Sequence, residues 1–256
     1  ESLVRYATLS NIVIKSCLSM QQKVLITGNS SGIGLGLSKE YLAQKWKVYG
    51  LSRRGSPELD SHLYDIQCDL NNIENIEPAL STLLSGVKQL DLVFLNAGIF
   101  GSISKLRDKD VAHFENVMRI NVWANKVILD YLFCNNIKVK QVIALSSGAA
   151  TSINQGWSAY SLSKTSLNRL IEFYAEEFSE THFLSLAPGL VDTAMQTYLC
   201  DEQSVPEADF PSVKKMRQAQ GTKNMPPARE AARAITKIVP DLVTLPSGSY
   251  ADVRTL

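Results

Sequence analysis

Charge of one sign is the first thing this sequence lacks. It holds 26 Lys and Arg against 25 Asp and Glu, a formal net charge of +1. Nothing in that balance would draw the protein onto nucleic acid or an anionic membrane surface. Histidine is scarce, with three in 256 residues, and the four cysteines (Cys17, Cys68, Cys134 and Cys200) stand far apart without CxxC or Cys/His spacing. Zinc-type ligand patterns are therefore missing, and no metal site is expected. Scattered thiols fit a reducing compartment, which makes the expected location cytoplasmic. No apolar run is long enough to span a bilayer.

Residues 1–19 have neither the long apolar centre nor the small-residue cleavage pattern of a signal peptide. The domain signal begins at once after Met20, with Gln21-Gln22-Lys23-Val24-Leu25-Ile26. The expectation is a leader over 1–19, disordered or appended by cloning or upstream translation, before a natural start at Met20. A targeting peptide is the competing reading. Over 20–256, 45% hydrophobic and 20% charged residues in the whole chain suit one α/β domain with a full core.

Short apolar runs alternate with helical periodicity through that domain. Val24–Thr27 reads as a buried parallel strand running into Gly28-Asn-Ser-Ser-Gly32-Ile-Gly34-Leu-Gly36 and a helix through Leu37, Tyr41 and Leu42. A glycine turn before a helix N-terminus offers free N–H groups to a diphosphate. Lys47–Leu51 is a second strand, followed by Ser52-Arg53-Arg54. An acid at this position would hydrogen-bond a free ribose hydroxyl, whereas arginine suits a 2′-phosphate, so NADP(H) is favoured over NAD(H). Further strands are expected at Tyr64–Leu70, Leu90–Leu95, Gln141–Leu145 and His182–Ala187, with an edge strand in Ser247–Asp252. Helices are expected at Ile73–Leu84, Lys109–Phe133, Trp157–Phe178 and from Pro226 onward. Asp192–Met225 is polar with weak periodicity and reads as a loop-like lid. The implied architecture is a single-domain, doubly wound Rossmann-type parallel sheet with helices on both faces, binding its ligand at the carboxyl ends of the strands.

The most informative helix carries Tyr160 and Lys164, four residues apart and so on one face. A phenol of ordinary pKa about 10 is a poor acid at neutral pH. An adjacent ammonium stabilises its phenolate and brings it into range.

Taken in order, Thr27-Gly-x3-Gly-x-Gly34, Asn96-Ala97-Gly98, Asn121, Ser147, Tyr160-x3-Lys164 and Pro188-Gly189 resemble the short-chain dehydrogenase/reductase family from Lys23 to Asp252. The resemblance implies that Tyr160 protonates a carbonyl oxygen while the cofactor delivers hydride to its carbon. It also implies that Ser147 hydrogen-bonds that oxygen and that Lys164 lowers the phenol's pKa and holds the nicotinamide ribose. Asn121 would order a water leading to Lys164. NADP(H) would contact Gly28, Ser30, Ser31, Gly32, Ile33, Gly34, Arg53, Asp69, Leu70, Asn96, Ala97, Gly98, Tyr160, Lys164, Pro188, Gly189, Val191 and Thr193. Two departures stand out: Leu95 replaces a frequent second Asn, and Ser31 stands where many NADP-dependent members have Arg or Lys, which leaves Arg53 to set cofactor choice.

Ala187–Gln196 and Ser247–Asp252 resemble the sepiapterin reductase and benzil reductase branch. That likeness implies a carbonyl reductase acting on a ketone or vicinal dicarbonyl, with Ser147, Tyr160 and Asp252 at the substrate. In the sepiapterin reductase alternative, the Asp252 carboxylate accepts a pterin's amino groups; otherwise Asp252 only ends a surface strand. An NAD-dependent alcohol dehydrogenase and a non-catalytic NADP(H) sensor are the other readings. The family also implies a homodimer built on the two long central helices.

Overall fold

Seven parallel strands form one sheet among the described residues of the computed structural model, which are 21–58 and 60–256; the 1–19 leader lies outside them. The strands are β1 (Lys23–Thr27), β2 (Lys47–Ser52), β3 (Leu63–Gln67), β4 (Gln89–Leu95), β5 (Lys138–Leu145), β6 (His182–Ala187) and β7 (Tyr250–Asp252), in the order β3-β2-β1-β4-β5-β6-β7. The order reverses between β1 and β4, so the chain leaves these two strands in opposite directions and a crevice opens at their carboxyl ends.

Side-chain alternation along each strand assigns two cores. On one face Leu25, Val93, Val142 and Phe183 pack against α2 (Ile76–Leu83), α4 (Ala124–Cys134) and α5 (Ser158–Glu177). On the other, Val24, Ile26, Phe94 and Ile143 pack against α1 (Gly32–Ala43) and α8 (Ala228–Ile238). Ile26 and Phe94 are fully buried, each contributing about 1.5–3 kcal/mol relative to exposure. Helices thus cover both faces of the sheet. No helix among the described residues is long and apolar enough to cross a membrane.

The fourth glycine of the Gly28–Gly36 stretch, Gly36, is a packing residue. A Cβ on Gly36 would lie 2.7 Å from Ala232 Cβ and 2.9 Å from the Ala228 carbonyl oxygen, so α1 and α8 pack here almost backbone to backbone. Gly36→Val is expected to overpack this contact by about 1–3 kcal/mol. A thermal melt should show a loss of roughly 2–4 °C per kcal/mol; an unchanged melting temperature would mean that the helices separate freely.

Two expectations need correction. The helix read as continuous over Lys109–Phe133 is broken into α3 (Val111–Met118), a π-helical turn at Arg119–Trp123, and α4. A π turn inserts a residue and re-aims the side chains it carries, and Asn121 lies within it. The stretch 192–225 is not a loop. It contains α6 (Ala194–Cys200) and α7 (Val213–Ala219). Leu199, Val205, Phe210, Val213, Met216 and Met225 form a third apolar cluster with Phe100, Trp157 and Tyr160.

Candidate active site

The crevice between β1 and β4 continues into a cleft of about 560 Å³ that runs from the end of β2 to helix α6. Its floor is fixed by one hydroxyl. Thr27 Oγ1, fully buried at the end of β1, accepts from the backbone N–H groups of Asn96 and Ala97, each at 3.0 Å. Asn96 Nδ2 donates back to the Thr27 carbonyl at 2.8 Å. The two strand ends are therefore tied together beneath the cleft.

Gly28 turns with φ +71°, which favours glycine. A Cβ on Gly34 would lie 2.3 Å from the Gly28 carbonyl oxygen, so only hydrogen fits where helix α1 meets the turn. No side chain among the described residues caps the α1 N-terminus. Its first-turn N–H groups and the positive end of its dipole thus face the turn. Ser31, the residue before the helix, instead accepts a hydrogen bond from Arg54 Nη2 at 2.9 Å. Arg53 and Arg54 both line this end of the cleft. The chemistry of these groups fits a nucleotide that carries a diphosphate and a further phosphate on its ribose.

At the other end lie Ser147, Tyr160 and Lys164. Ser147 follows β5 and caps a short turn by accepting from the Ala149 N–H at 3.1 Å. Tyr160 and Lys164 occupy adjacent turns of α5, 8% and 4% exposed. Burial raises the Tyr160 pKa above its usual value, while a hydrogen bond from Ser147 works in the opposite direction. Burial lowers Lys164 to about 8. Lys164 Nζ donates to the Leu145 carbonyl at 2.6 Å and stands 5.8 Å from the Tyr160 ring centre. The expected downward pull of the lysine on the phenol is not what dominates; desolvation is. Burial thus favours the neutral phenol of Tyr160.

The cleft gathers Gly28, Ser30, Ser31, Gly32, Ile33, Asp69, Leu70, Asn96, Ala97 and Gly98, together with Pro188, Gly189, Val191 and Thr193. Three expected residues do not line it. Gly34 lies beneath the turn. Asn121 lies behind, with its Oδ1 accepting from the Ile99 N–H at 2.8 Å and its Nδ2 donating to the Ile99 carbonyl and to Ser163 Oγ, each at 2.9 Å. Asp252, expected at the substrate, is engaged by its own chain. Its Oδ1 accepts from the Arg254 backbone N–H at 2.9 Å and from Nε at 2.8 Å, and its Oδ2 from Nη2. The same arginine holds its carboxyl below the usual range.

Phe100, Trp157 and Gln196 line the cleft unforeseen, and so does Arg54, which the sequence offered only as the second member of a basic pair. Trp157 is the residue that precedes α5; it, Phe100 and Gln196 carried no motif.

The family model described as short chain dehydrogenase matches residues 22–204. A benzil reductase ((S)-benzoin forming) of Bacillus subtilis is 28% identical over 210 residues, covering 77% of this chain and 85% of its own. The benzil reductase of that type from Saccharomyces cerevisiae is 27% identical over 259 residues, covering 92% and 98%. A crystal structure of a short chain dehydrogenase/reductase from Saccharomyces cerevisiae superposes with a TM-score of 0.76 at 20% identity, covering 91% of this chain and 96% of that one. With its sheet order, glycine turn and Ser147–Tyr160–Lys164 cleft, this chain belongs to the short-chain dehydrogenase family of oxidoreductases.

Proposed function

We propose that the protein is an NADPH-dependent carbonyl reductase that converts a ketone or vicinal dicarbonyl to an alcohol. The observation that carries this reading is one cleft with a neutral, buried Tyr160 beside Ser147 and Lys164 at one end and two arginines at the other. The likeness to two benzil reductases supports the substrate class.

NADPH, held by the Gly28–Gly34 turn, Arg53 and Arg54, would supply hydride to the carbonyl carbon. Ser147 would hydrogen-bond the substrate oxygen and stabilise its developing charge. Tyr160 would give that oxygen its proton, and burial keeps the phenol protonated until it is needed. Lys164 would carry positive charge below about pH 8 and stabilise the phenolate left behind. Reduction should therefore slow as pH rises through that value. Asn121 would fix the Ile99 and Ser163 walls with its carboxamide. Its main-chain carbonyl, which accepts from Asn125 Nδ2 at 2.8 Å, would order water toward Lys164. The engagement of Asp252 by Arg254 speaks against a pterin anchor and so favours the dicarbonyl reading over sepiapterin.

Initial rates of NADPH and NADH oxidation with benzil and with sepiapterin test the reading. Faster turnover of benzil with NADPH supports it; NADH preference, or turnover of sepiapterin alone, overturns it. Arg53→Asp and Arg54→Asp should each raise the KM for NADPH roughly 10- to 100-fold, the loss of a charge-assisted contact, with little change for NADH. A homodimer through α3, α4 and α5 belongs to the same proposal. Trp123, in the π turn between α3 and α4, and Phe173, on α5, are 48% and 60% exposed. Sedimentation velocity at micromolar concentration should find a dimer.

A further inference from the structure

Gly50 leaves a gap in the middle of β2, and two polar side chains meet there. A Cβ on Gly50 would lie 2.0 Å from Asn29 Nδ2 and 2.3 Å from Asp65 Oδ1. Glycine within a strand often marks such a close approach. Asp65 stands opposite Gly50 in the parallel pairing of β2 with β3. Asn29, next to Gly28 in the glycine turn, thus reaches over β2 to a carboxylate on β3, donating from Nδ2 to Asp65 Oδ1 at 2.6 Å. Asn29 is fully buried, and among the described residues its Oδ1 has no partner. Its carboxamide is therefore held through Asp65.

The other oxygen of Asp65 serves the arginine loop. Oδ2 accepts from the Ser56 backbone N–H at 2.8 Å, two residues after Arg54. Gln67, also on β3, donates from Nε2 to the Arg54 carbonyl at 3.2 Å. The Arg54 guanidinium in turn donates to Ser31, back in the glycine turn. The loop after β2 is thus fastened at Arg54 and at Ser56, and a single carboxylate joins it to the turn.

We infer that Asp65 is a positioning residue for the ribose phosphate of the cofactor, with Gln67 as its second support. The inference rests on the NADPH reading of the cleft and deepens it. Asp65 sets the spacing between the turn that takes the diphosphate and the loop that presents the arginines. A loop already held in its binding geometry loses little further freedom when the phosphate arrives. In dinucleotide folds a carboxylate near the adenosine ribose ordinarily reads the free 2′-hydroxyl. Here both of its oxygens are engaged by the protein's own donors, so it supports the arginines instead.

Fluorescence titrations of NADPH and NADH test this. Asp65→Ala removes both links and should raise the Kd for NADPH about tenfold, against about threefold at most for NADH. Asp65→Asn also loses the charge but keeps the shape. Its oxygen accepts from Ser56 and its amide donates to Asn29 Oδ1 once the Asn29 amide turns over. This variant should therefore stay within about threefold of wild type for NADPH. An effect of charge alone has the opposite sign, because losing a negative charge beside a phosphate site tightens NADPH in both variants alike. Gln67→Met should raise the Kd for NADPH about threefold and leave NADH unchanged, and it decides the matter should Asp65→Ala not fold. Unchanged or tighter NADPH binding in Asp65→Ala or in Gln67→Met, or equal rises for both cofactors, would overturn the inference while leaving the NADPH reading intact. Wild-type protein that binds NADH more tightly than NADPH would overturn that reading, and the inference with it.

Discussion

Tyr160→Phe is expected to lower the kcat for benzil reduction by about 10²–10⁴-fold, the usual contribution of a positioned general acid. NADPH should bind nearly as before. The substitution removes one oxygen from a ring that packs on Phe100, with centres 4.9 Å apart, and on Trp157, so the aromatic wall survives and the loss is chemical. Stopped-flow hydride transfer at saturating NADPH separates the chemical step from binding. A rate within threefold of wild type would place the acid elsewhere. In the wild-type enzyme the alkaline limb of the pH profile should lie near 8, where Lys164 gives up its proton, and not near the higher value to which burial drives the phenol.

Lys164→Met should remove most turnover and yet make the protein harder to unfold. A lysine that titrates near 8 in the fold and ordinarily at 10.5 binds its proton less tightly when folded. Below pH 8 this costs the native state about 3 kcal/mol. Methionine escapes that cost but leaves the Leu145 carbonyl without its donor, an opposing loss of about 1–3 kcal/mol. A net gain of roughly 1 kcal/mol at pH 7 corresponds to about 2–4 °C in Tm. The sign is specific. Because the unfolded chain holds the extra proton between 8 and 10.5, wild-type stability recovers across that interval. The advantage of the variant should be full below pH 8 and shrink as pH rises. A constant difference from pH 7 to 10 would show that Lys164 is not strained by burial.

The parts of the fold that read well are those where local pattern and tertiary demand coincide. β6 is found over His182–Ala187, as the largely apolar run implies, because a strand buried on both faces is mostly apolar, here with Ser185 as its one fully buried polar residue. The helix at 109–133 looked unbroken because Phe114, Val117 and Val122 keep an apolar face across the π turn. A single inserted residue leaves almost no trace in periodicity. The lid was unreadable for another reason: α6 and α7 are seven residues each. Their apolar contacts are with Phe100 and Trp157, distant in sequence. Of the two arginines after β2, the sequence could not say that the second would turn back to Ser31 and supply the basic group that position lacks. Asp252 is different. Its partner Arg254 is two residues away, and the two side chains pair as a bidentate carboxylate–guanidinium fork.

The third apolar cluster has a consequence for anyone who would retarget this enzyme. Tyr160 belongs to the same packed unit as Val205, Phe210, Val213 and Met216, so the packing behind the cleft also sets where the phenol stands. Cores of this density transmit strain instead of absorbing it. Substitutions at these positions would move the Tyr160 ring along with the cluster it packs in. Libraries built there should yield variants whose turnover number and selectivity change together, while diversity placed on the outward face of the lid would leave both untouched.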